Sequence, residues 1–276
     1  MKGVSKLKKT LAFILVCVII LGVLTAAGCA SSTVGKLKKV RESGKLVVYT
    51  SPYFPPFEFI GENGIEGVDV EIAKAIAAEL GAAAEVRETS FSALPVTLKS
   101  GKGDAIISGI TITDGRSNDV DFSEPYIISF QYLILAGDSD IELMEDLAGK
   151  KVGVVKDYTC QFLMVDEIGE GGALEHSNTE LKEYNSVAET VTDLKNGRID
   201  AVVMDEYAAK YAAEKNGLAA KELRYKNGGA VKEEYGVAIP KGNEDLLEEI
   251  NAVIGRLKEE GKILEWLRHY SEQFSD

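Results

Sequence analysis

The chain contains two similar segments, and this internal repeat constrains the fold more than any other feature. Residues 98–108 read L-K-S-G-K-G-D-A-I-I-S, and residues 194–204 read L-K-N-G-R-I-D-A-V-V-M. In each copy the pattern is that of a helix ending at glycine, followed by a buried strand. The copies lie about one hundred residues apart, which is the spacing of domains rather than of solenoid repeats. The repeat therefore predicts two similar α/β lobes.

The residues that follow the two copies differ in charge. The first copy continues as G-I-T-I-T-D-G-R and ends at Arg116, whereas Asp205 follows the second copy directly. Ligands of open α/β sheets bind beyond the carboxyl ends of the strands. One lobe therefore offers a cation at this position and the other an anion. A zwitterion held between the lobes would satisfy both.

The N-terminus has the pattern of a targeting segment. Lys2, Lys6, Lys8 and Lys9 precede an apolar stretch, residues 11–24, of about 14 residues, which is short for a membrane span. Small residues then lead to Cys29, as in a bacterial lipoprotein signal. We expect residues 1–28 to be a signal peptide, Cys29 to be lipidated, and residues 29–44 to form a tether and a short helix. An uncleaved membrane anchor is the alternative. Either leader exports the protein and holds it at a membrane.

Charge and cysteine content exclude several classes of partner and structure. The formal charge is −13, and it becomes −17 when the four lysines of the leader are removed. This charge argues against nucleic acid and against anionic membrane surfaces. Of the three cysteines, only Cys160 lies beyond residue 29, so the folded part cannot form an internal disulfide.

The order of apolar and amphipathic segments predicts how the lobes are connected. We expect residues 45–130 to form the first part of lobe 1, residues 131–236 to form lobe 2, and residues 237–276 to return to lobe 1. The apolar run at residues 127–135 would cross between the lobes, and the segment at 235–239 would cross back. Two crossing strands form a hinge, which permits closure around a ligand. Asp69 is predicted to cap the helix that follows it.

Four motifs together resemble a known family. They are F-P-P-F-E-F at residues 54–59, D-V-E-I-A-K-A-I-A-A-E-L-G at 69–81, D-A-I-I-S-G-I-T-I-T-D-G-R at 104–116 and D-F-S-E-P-Y at 121–126. In order and spacing they resemble the polar amino acid-binding proteins of ABC importers, also known as bacterial extracellular solute-binding proteins of family 3. The resemblance covers the chain from residue 45 onward. It implies a two-lobe α/β fold of the periplasmic-binding-protein type (type II), with the ligand cleft between the lobes and a two-strand hinge.

The resemblance assigns the carboxylate side of the cleft to lobe 1. Arg116 matches the arginine that clamps the ligand α-carboxylate, a role suited to a planar guanidinium that binds with two parallel hydrogen bonds. Thr111 matches a residue that assists the same carboxylate. Ser108 and Gly109 match strand-end residues that face the ligand. Alone, Arg116 could be a solvated surface residue and Gly109 an ordinary turn residue.

The resemblance assigns the ammonium side and the walls to four other residues. Asp205 matches the carboxylate that receives the α-ammonium, although it could also cap the following helix. Thr159 matches a hydroxyl donor at a helix N-terminus, in a segment where Asp157 and Tyr158 replace the usual glycines. Phe54 and Phe91 match the two walls around the ligand side chain; core packing is their alternative role. Full burial of Phe54 is not expected, because it lies in a loop with three prolines.

The ligand class follows from one substitution relative to the family pattern. Ser51 stands where relatives that bind basic amino acids often carry aspartate, and this favours a neutral polar ligand such as glutamine. Cystine and the basic amino acids remain open, because Glu58 or Asp157 could compensate. Lys156 could serve an amide or carboxylate side chain if it points into the cleft.

The leading functional hypothesis is a non-enzymatic solute-binding lipoprotein, monomeric and without cofactor or metal, that delivers an amino acid to an ABC permease and its ATPase. It would be anchored outside the cytoplasm. A dehydratase on the same fold is the first alternative, but His176 and His269 lie away from the motifs. A sensory domain is the second. Because the sequence stops at Asp276, signalling would need a separate partner protein.

Overall fold

The computed structural model describes residues 35–272. The predicted leader, the tether up to residue 34 and its Cys29 lie outside this range. The described helices are α1 Lys36–Ser43, α2 Val68–Glu79, α3 Leu94–Lys99, α4 Asp114–Ser117, α5 Thr159–Ile168, α6 Val187–Lys195, α7 Glu206–Asn216, α8 Glu244–Glu259 and α9 Lys262–Glu272. Short 3₁₀ turns occur at Phe91–Ala93 and Met144–Leu147.

The described strands are interspersed with these helices along the chain, as expected for the predicted α/β class. They are β1 Lys45–Thr50, β2 Tyr53–Phe54, β3 Glu58–Gly61, β4 Gly64–Glu66, β5 Ala83–Glu88, β6 Ala105–Ile106, β7 Val120–Phe122, β8 Ile127–Leu135, β9 Lys151–Val155, β10 Glu180–Tyr184, β11 Ala201–Asp205, β12 Ala219–Glu222, β13 Lys232–Tyr235 and β14 Ala238–Pro240.

Two sheets of similar topology contain the two copies of the repeat. The first sheet has the order β5-β1-β6-β14-β7, and the second has the order β10-β9-β11-β8-β12. In each sheet the first three strands are parallel and the fourth is antiparallel to the third. The two copies supply the third strand of each sheet, β6 and β11. The internal repeat thus corresponds to a repeated structural position.

Two adjacent strands connect the sheets. The first half of β8 pairs antiparallel with β13, with Ile127 opposite Tyr235 and Phe130 opposite Lys232. The second half of β8 pairs with β11 and β12 in the second sheet. After Tyr235 the chain enters β14 in the first sheet. The predicted two-strand hinge is therefore present.

Amphipathic helices cover the sheets. Helix α2 buries Ile72 and Ile76, and α8 buries Leu246 and Ile250, at the three- and four-residue spacing of one helix face. Each such side chain contributes about 1.5–3 kcal/mol by leaving water. No helix within residues 35–272 has the length and apolar character needed to cross a bilayer.

The start of helix α2 differs from the prediction. Gly67, not Asp69, occupies the N-cap position, and no side chain caps the helix there. Gly67 has a φ of +129°, and a Cβ atom at this position would lie 2.1 Å from the backbone oxygen of Phe57. Only glycine fits this close approach. Asp69 is instead buried within the first turn, where it bonds to residues distant in sequence.

Candidate ligand-binding site

The residues predicted to bind the ligand line one cavity where the two sheets meet. The cavity is narrow, with only about 10 Å³ open to the centre of a water-sized molecule. Its lining contains all eight predicted residues and one more, Tyr158: Phe54, Phe91, Ser108, Gly109, Thr111, Arg116, Tyr158, Thr159 and Asp205. The fold therefore brings together side chains separated by up to 151 positions in the sequence. A larger groove of about 630 Å³ lies beside α6 and α7 and contains none of the predicted site residues.

Arg116 reaches the cavity from the short helix α4. Thr113 begins this helix, because its side-chain oxygen accepts a hydrogen bond from the Arg116 N–H at 3.2 Å. The guanidinium donates from Nη1 to the Thr111 carbonyl at 2.9 Å and from Nη2 to the Asp157 carbonyl at 3.2 Å. The second bond joins the two lobes. Both acceptors are neutral, so the guanidinium charge has no carboxylate within ion-pairing distance among residues 35–272.

The charge state of Arg116 is set by its surroundings. Burial lowers the pKa of the guanidinium, and the negative charges of Glu233 and Asp205 oppose this shift. Its Cζ atom also lies 5.4 Å from the centroid of the Phe91 ring, within cation–π range. A half-buried cation with two nearby acids but no ion-pair partner within residues 35–272 is suited to receive a carboxylate.

Ser108 and Gly109 form the floor of the cavity, and their hydrogen bonds point away from it. The Ser108 hydroxyl accepts from the Ser51 N–H at 3.0 Å and donates to Glu58 Oε1 at 2.9 Å. The Gly109 N–H donates to Asp69 Oδ2 at 2.6 Å. The Ser108 hydroxyl and the Gly109 N–H are thus already hydrogen-bonded to other residues of the protein. They fix the floor in place and leave direct polar recognition to other residues.

A buried pair of carboxyl groups supports this floor. Glu58 and Asp69 are both fully buried. Burial raises the pKa of Glu58 well above its usual range, and the charge of Asp69 adds to the shift. Burial also raises the pKa of Asp69, to about 6, against hydrogen bonds from Gly109 and Tyr126 that lower it. Two acids in contact cannot both ionise at low cost, so one carries a proton at neutral pH.

A second carboxyl pair lies at the Asp205 end of the cavity. Asp205 ends strand β11 and stands at the N-cap position of α7, but no side-chain capping bond forms. The Gln131 amide donates to Asp205 Oδ1 and, at 2.9 Å, to Glu233 Oε1. The same nitrogen lies 3.4 Å from the Thr159 hydroxyl. The Gln131 amide thus bridges two carboxyl groups, neither of which forms an ion pair with a cation within residues 35–272.

Burial and this second acid control the protonation of Asp205. Burial raises its pKa to about 8, and the neighbouring charge of Glu233 contributes the next largest share. Oε2 of Glu233 is buried and has no hydrogen-bond partner within residues 35–272. The network is therefore short of positive charge. An ammonium group at Asp205 would supply it.

Aromatic rings form the walls of the cavity. Phe54 is only 3% exposed, contrary to the expectation from its proline-rich loop, because its ring packs against Phe57 and Tyr235. It also covers Gly109, where a Cβ atom would lie 2.7 Å from the ring. Phe91 lies in the 3₁₀ turn before α3 and is half-buried. Tyr158, which sequence reasoning missed, contacts both rings.

Three hypotheses about the ligand side chain find no support in the lining. Lys156 is exposed and does not line the cavity. Asp157 is also exposed and does not line the cavity; its backbone carbonyl accepts from Arg116, and its charge acts on the same guanidinium. Glu58 is engaged in the buried pair. Among the lining residues, Asp205 is the only one with a carboxyl group. Within residues 35–272 no cluster of three or more His, Cys, Asp or Glu residues could hold a metal ion.

The fold and the cavity define the class of two-lobe extracytoplasmic binding proteins. The model of the bacterial extracellular solute-binding proteins, family 3, matches residues 46–273, and the chain belongs to this family. It is 32% identical over 253 residues to the L-cystine-binding protein TcyJ of Escherichia coli, covering 88% of this chain and 91% of that protein. It is 34% identical to the glutamine-binding protein GlnH of Bacillus subtilis, covering 72% of this chain and 70% of GlnH.

A solved structure confirms the type II two-lobe fold. AbpA, an amino acid ABC transporter substrate-binding protein from Streptococcus pneumoniae, was crystallised with L-arginine. It superposes with a TM-score of 0.77 at 33% identity, covering 87% of this chain and 99% of AbpA. The predicted fold class and family are therefore confirmed. The ligands named for these relatives are cystine, glutamine and arginine, so the family alone does not name the ligand of this chain.

Proposed function

We propose that the protein captures a polar L-amino acid in the cavity between its lobes and delivers it to an ABC permease. One observation carries the proposal. The guanidinium of Arg116 and the carboxyl group of Asp205 come from opposite lobes and line the same cavity, and within residues 35–272 they form no ion pair with each other. A bound amino acid would place its α-carboxylate on Arg116 and its α-ammonium on Asp205. The guanidinium would then gain a carboxylate partner, and Asp205, ionised on binding, would pair with the ammonium.

The remaining predicted residues have supporting roles in this proposal. Thr111 and Thr159 would assist at the carboxylate, the first from the strand end of lobe 1 and the second from the N-terminus of α5. Phe54 and Phe91 would enclose the ligand side chain. Ser108 and Gly109 would form the rigid floor beneath it, held by Glu58 and Asp69.

The proposed ligand class is neutral and polar, with glutamine as the reference compound. A guanidinium or imidazolium side chain needs an acid of its own, and the lining offers no carboxyl group besides Asp205. Relatives that bind cystine and glutamine make both compounds necessary members of any test. Arginine belongs in the same test because AbpA was crystallised with it.

The proposal includes an anchored location and specific partners. Cys29 would be lipidated after removal of residues 1–28, residues 29–44 would form the tether and the short helix, and a monomer would dock on the permease and its ATPase. The lobes would comprise residues 45–130 with 237–276, and residues 131–236. A Cys29→Ser variant should lose metabolic labelling with a fatty-acid analogue. Retained labelling would contradict the anchor without affecting the binding function.

A thermal-shift panel tests the binding function. The protein is stripped of bound ligand and tested against the twenty amino acids and cystine. A ligand at 100 times its Kd stabilises a protein by about 2.7 kcal/mol, which raises the Tm of a protein of this size by roughly 5–10 °C. We expect one hit or a small group of related hits, with glutamine above arginine. Turnover of prephenate or arogenate, together with a flat panel, would support a dehydratase instead.

A further inference from the structure

We propose that Tyr158 acts as an internal stand-in for the ligand side chain, holding the empty cleft closed and setting the size of side chain that the protein accepts. The inference rests on the proposed function, because it takes Phe54 and Phe91 as the walls of the side-chain site. It goes further by assigning a role to a residue that the family pattern does not include.

The Tyr158 ring contacts both walls of the proposed side-chain site. Its centroid lies 5.7 Å from that of Phe54, in edge-to-face geometry, and 4.7 Å from that of Phe91. Both distances fall in the range of favourable aromatic pairs. Tyr158 is only 9% exposed. The ring thus takes the contacts with both walls that a ligand side chain would need.

The contacts of Tyr158 with the two phenylalanine rings cross the cleft. Phe54 and Phe91 belong to the lobe of the first sheet, whereas Tyr158 follows β9 in the second sheet. The residue before it, Asp157, accepts the hydrogen bond from Arg116 across the same gap. In a binding protein the ligand normally links the lobes. Here one segment of lobe 2 itself makes both an aromatic and a polar link to lobe 1.

The backbone at Asp157 and Tyr158 directs the tyrosine ring toward lobe 1. Asp157 has a φ of +65°, in the left-handed region that few residues other than glycine adopt. The following residue, Tyr158, is the N-cap of α5 and extended, with φ −84° and ψ 158°. The Asp157 N–H also donates to the Gln161 side chain at 2.6 Å. The turn is therefore held in a conformation that places the Tyr158 ring against lobe 1.

Two consequences follow for binding. The ring of Tyr158 takes the space beside Phe54 and Phe91 that a long side chain would need, whereas a small side chain would need less of it. Removing the ring should therefore strengthen the binding of long side chains and leave that of small ones nearly unchanged. Removing it should also open the empty cleft, because the aromatic link between the lobes is lost.

The test compares the full chain, purified in detergent, with its Tyr158→Ala and Tyr158→Phe variants. Phenylalanine keeps the ring and removes only the hydroxyl, so it is the matched control. Calorimetric titrations with L-serine, L-glutamine and L-arginine measure the size dependence. We expect Tyr158→Ala to bind glutamine and arginine about tenfold more tightly, equivalent to ~1.4 kcal/mol, with serine changed less than about twofold. Tyr158→Phe should rank the ligands like the wild type.

Hydrogen–deuterium exchange of the ligand-free proteins supplies a readout that needs no ligand. In Tyr158→Ala, backbone amides of residues 107–116 in lobe 1 should exchange faster than in the wild type, although the substitution is in lobe 2. Tyr158→Phe should not show this. Equal exchange of lobe 1 in all three proteins, or an unchanged ligand ranking in a binding-competent Tyr158→Ala, would overturn the inference. Absence of binding by the wild type would instead refute the proposed function, and the exchange result would still decide whether Tyr158 links the lobes.

Discussion

The Ser108 hydroxyl donates a hydrogen bond to Glu58 Oε1 at 2.9 Å, and neither residue is more than 1% exposed. This contact links the floor of the cavity to a buried acid from strand β3, fifty residues earlier in the chain. Glu58 in turn lies against Asp69, which holds the Gly109 N–H. The geometry of the floor therefore depends on the protonation of two carboxyl groups that never touch the ligand.

This dependence predicts how stability varies with pH. Unfolded glutamate and aspartate ionise near pH 4, whereas burial raises the pKa of Glu58 well above that and the pKa of Asp69 to about 6. The stabilisation from the protonated pair is full below about pH 4 and is lost as the pH rises through these raised values. Glu58→Gln should make the Tm less dependent on pH between 4 and 8. Exposed Glu62→Gln, measured in parallel, should follow the wild type.

Removing the acceptor altogether should be costly. Glu58→Ala leaves the buried Ser108 hydroxyl without its acceptor and opens a cavity, so we expect a loss of about 1–3 kcal/mol in the free energy of unfolding. Denaturant titration at pH 7 measures it. If Glu58→Ala were as stable as Glu58→Gln, the hydrogen bond would not hold the floor.

A second prediction concerns Asp205 and proton release. Burial, with the charge of Glu233 added, raises the pKa of Asp205 to about 8, so the empty site holds a proton at neutral pH. A ligand ammonium needs the ionised form. Affinity should therefore rise with pH up to about 8 and then level off, and binding at pH 7 should release a proton. Calorimetry in buffers of different ionisation enthalpy measures this release.

Glu233→Gln is the matched variant for this prediction. It removes the charge that raises the pKa of Asp205 while keeping an oxygen that can accept from Gln131. Proton release at pH 7 should decrease, and the affinity plateau should begin at a lower pH. A pH profile identical to that of the wild type would show that Glu233 does not act on Asp205.

Arg116 should account for much of the affinity. Arg116→Ala would leave the ligand carboxylate buried without a partner, at a cost of roughly 2–5 kcal/mol in binding free energy. Arg116→Lys keeps the charge but cannot form two parallel hydrogen bonds with a carboxylate. Its loss of binding free energy should therefore be smaller than that of Arg116→Ala. Arg198→Ala, in an exposed ion pair with Asp193, is the control. An unchanged Kd in Arg116→Ala would contradict the assigned cleft.

Gly67 should be intolerant of substitution for a reason unrelated to the ligand. A Cβ atom there would meet the Phe57 carbonyl, which anchors the loop between Phe54 and Glu58. We expect Gly67→Ala to destabilise the protein by more than about 2 kcal/mol, beyond the 1–2 kcal/mol cost of a left-handed residue. Gly81→Ala is matched in positive φ but meets nothing within 4 Å, and its loss should be smaller. Equal losses would contradict the steric argument.

The sequence was most informative where a pattern is repeated or charged. The repeat located β6 and β11, and the motif around Arg116 grouped residues that line one cavity. It was least informative for single residues whose role depends on distant neighbours. Asp69 has the pattern of a helix cap, yet it binds Gly109 and Tyr126, because Gly67 moves the helix start.

In the sequence, Glu233 gave no signal of its role and Tyr158 gave only a weak one. Glu233 lies in a charged run beside Lys232 and Glu234, and only the pairing of β13 with β8 brings it to Gln131. Tyr158 could be recognised as a departure from glycine, but its contact with two rings of the other lobe depends on how the lobes close. Such tertiary relationships have no periodicity to reveal them.

The most direct test of the account uses blocked forms of the ligand found by the thermal-shift panel. Its methyl ester removes the carboxylate charge meant for Arg116, and its N-acetyl derivative removes the ammonium charge meant for Asp205. Competition titrations on the wild type should show each derivative at least about a hundredfold weaker than the parent amino acid, or ~2.8 kcal/mol. If either derivative bound as tightly as the parent, a zwitterion held between Arg116 and Asp205 would be ruled out.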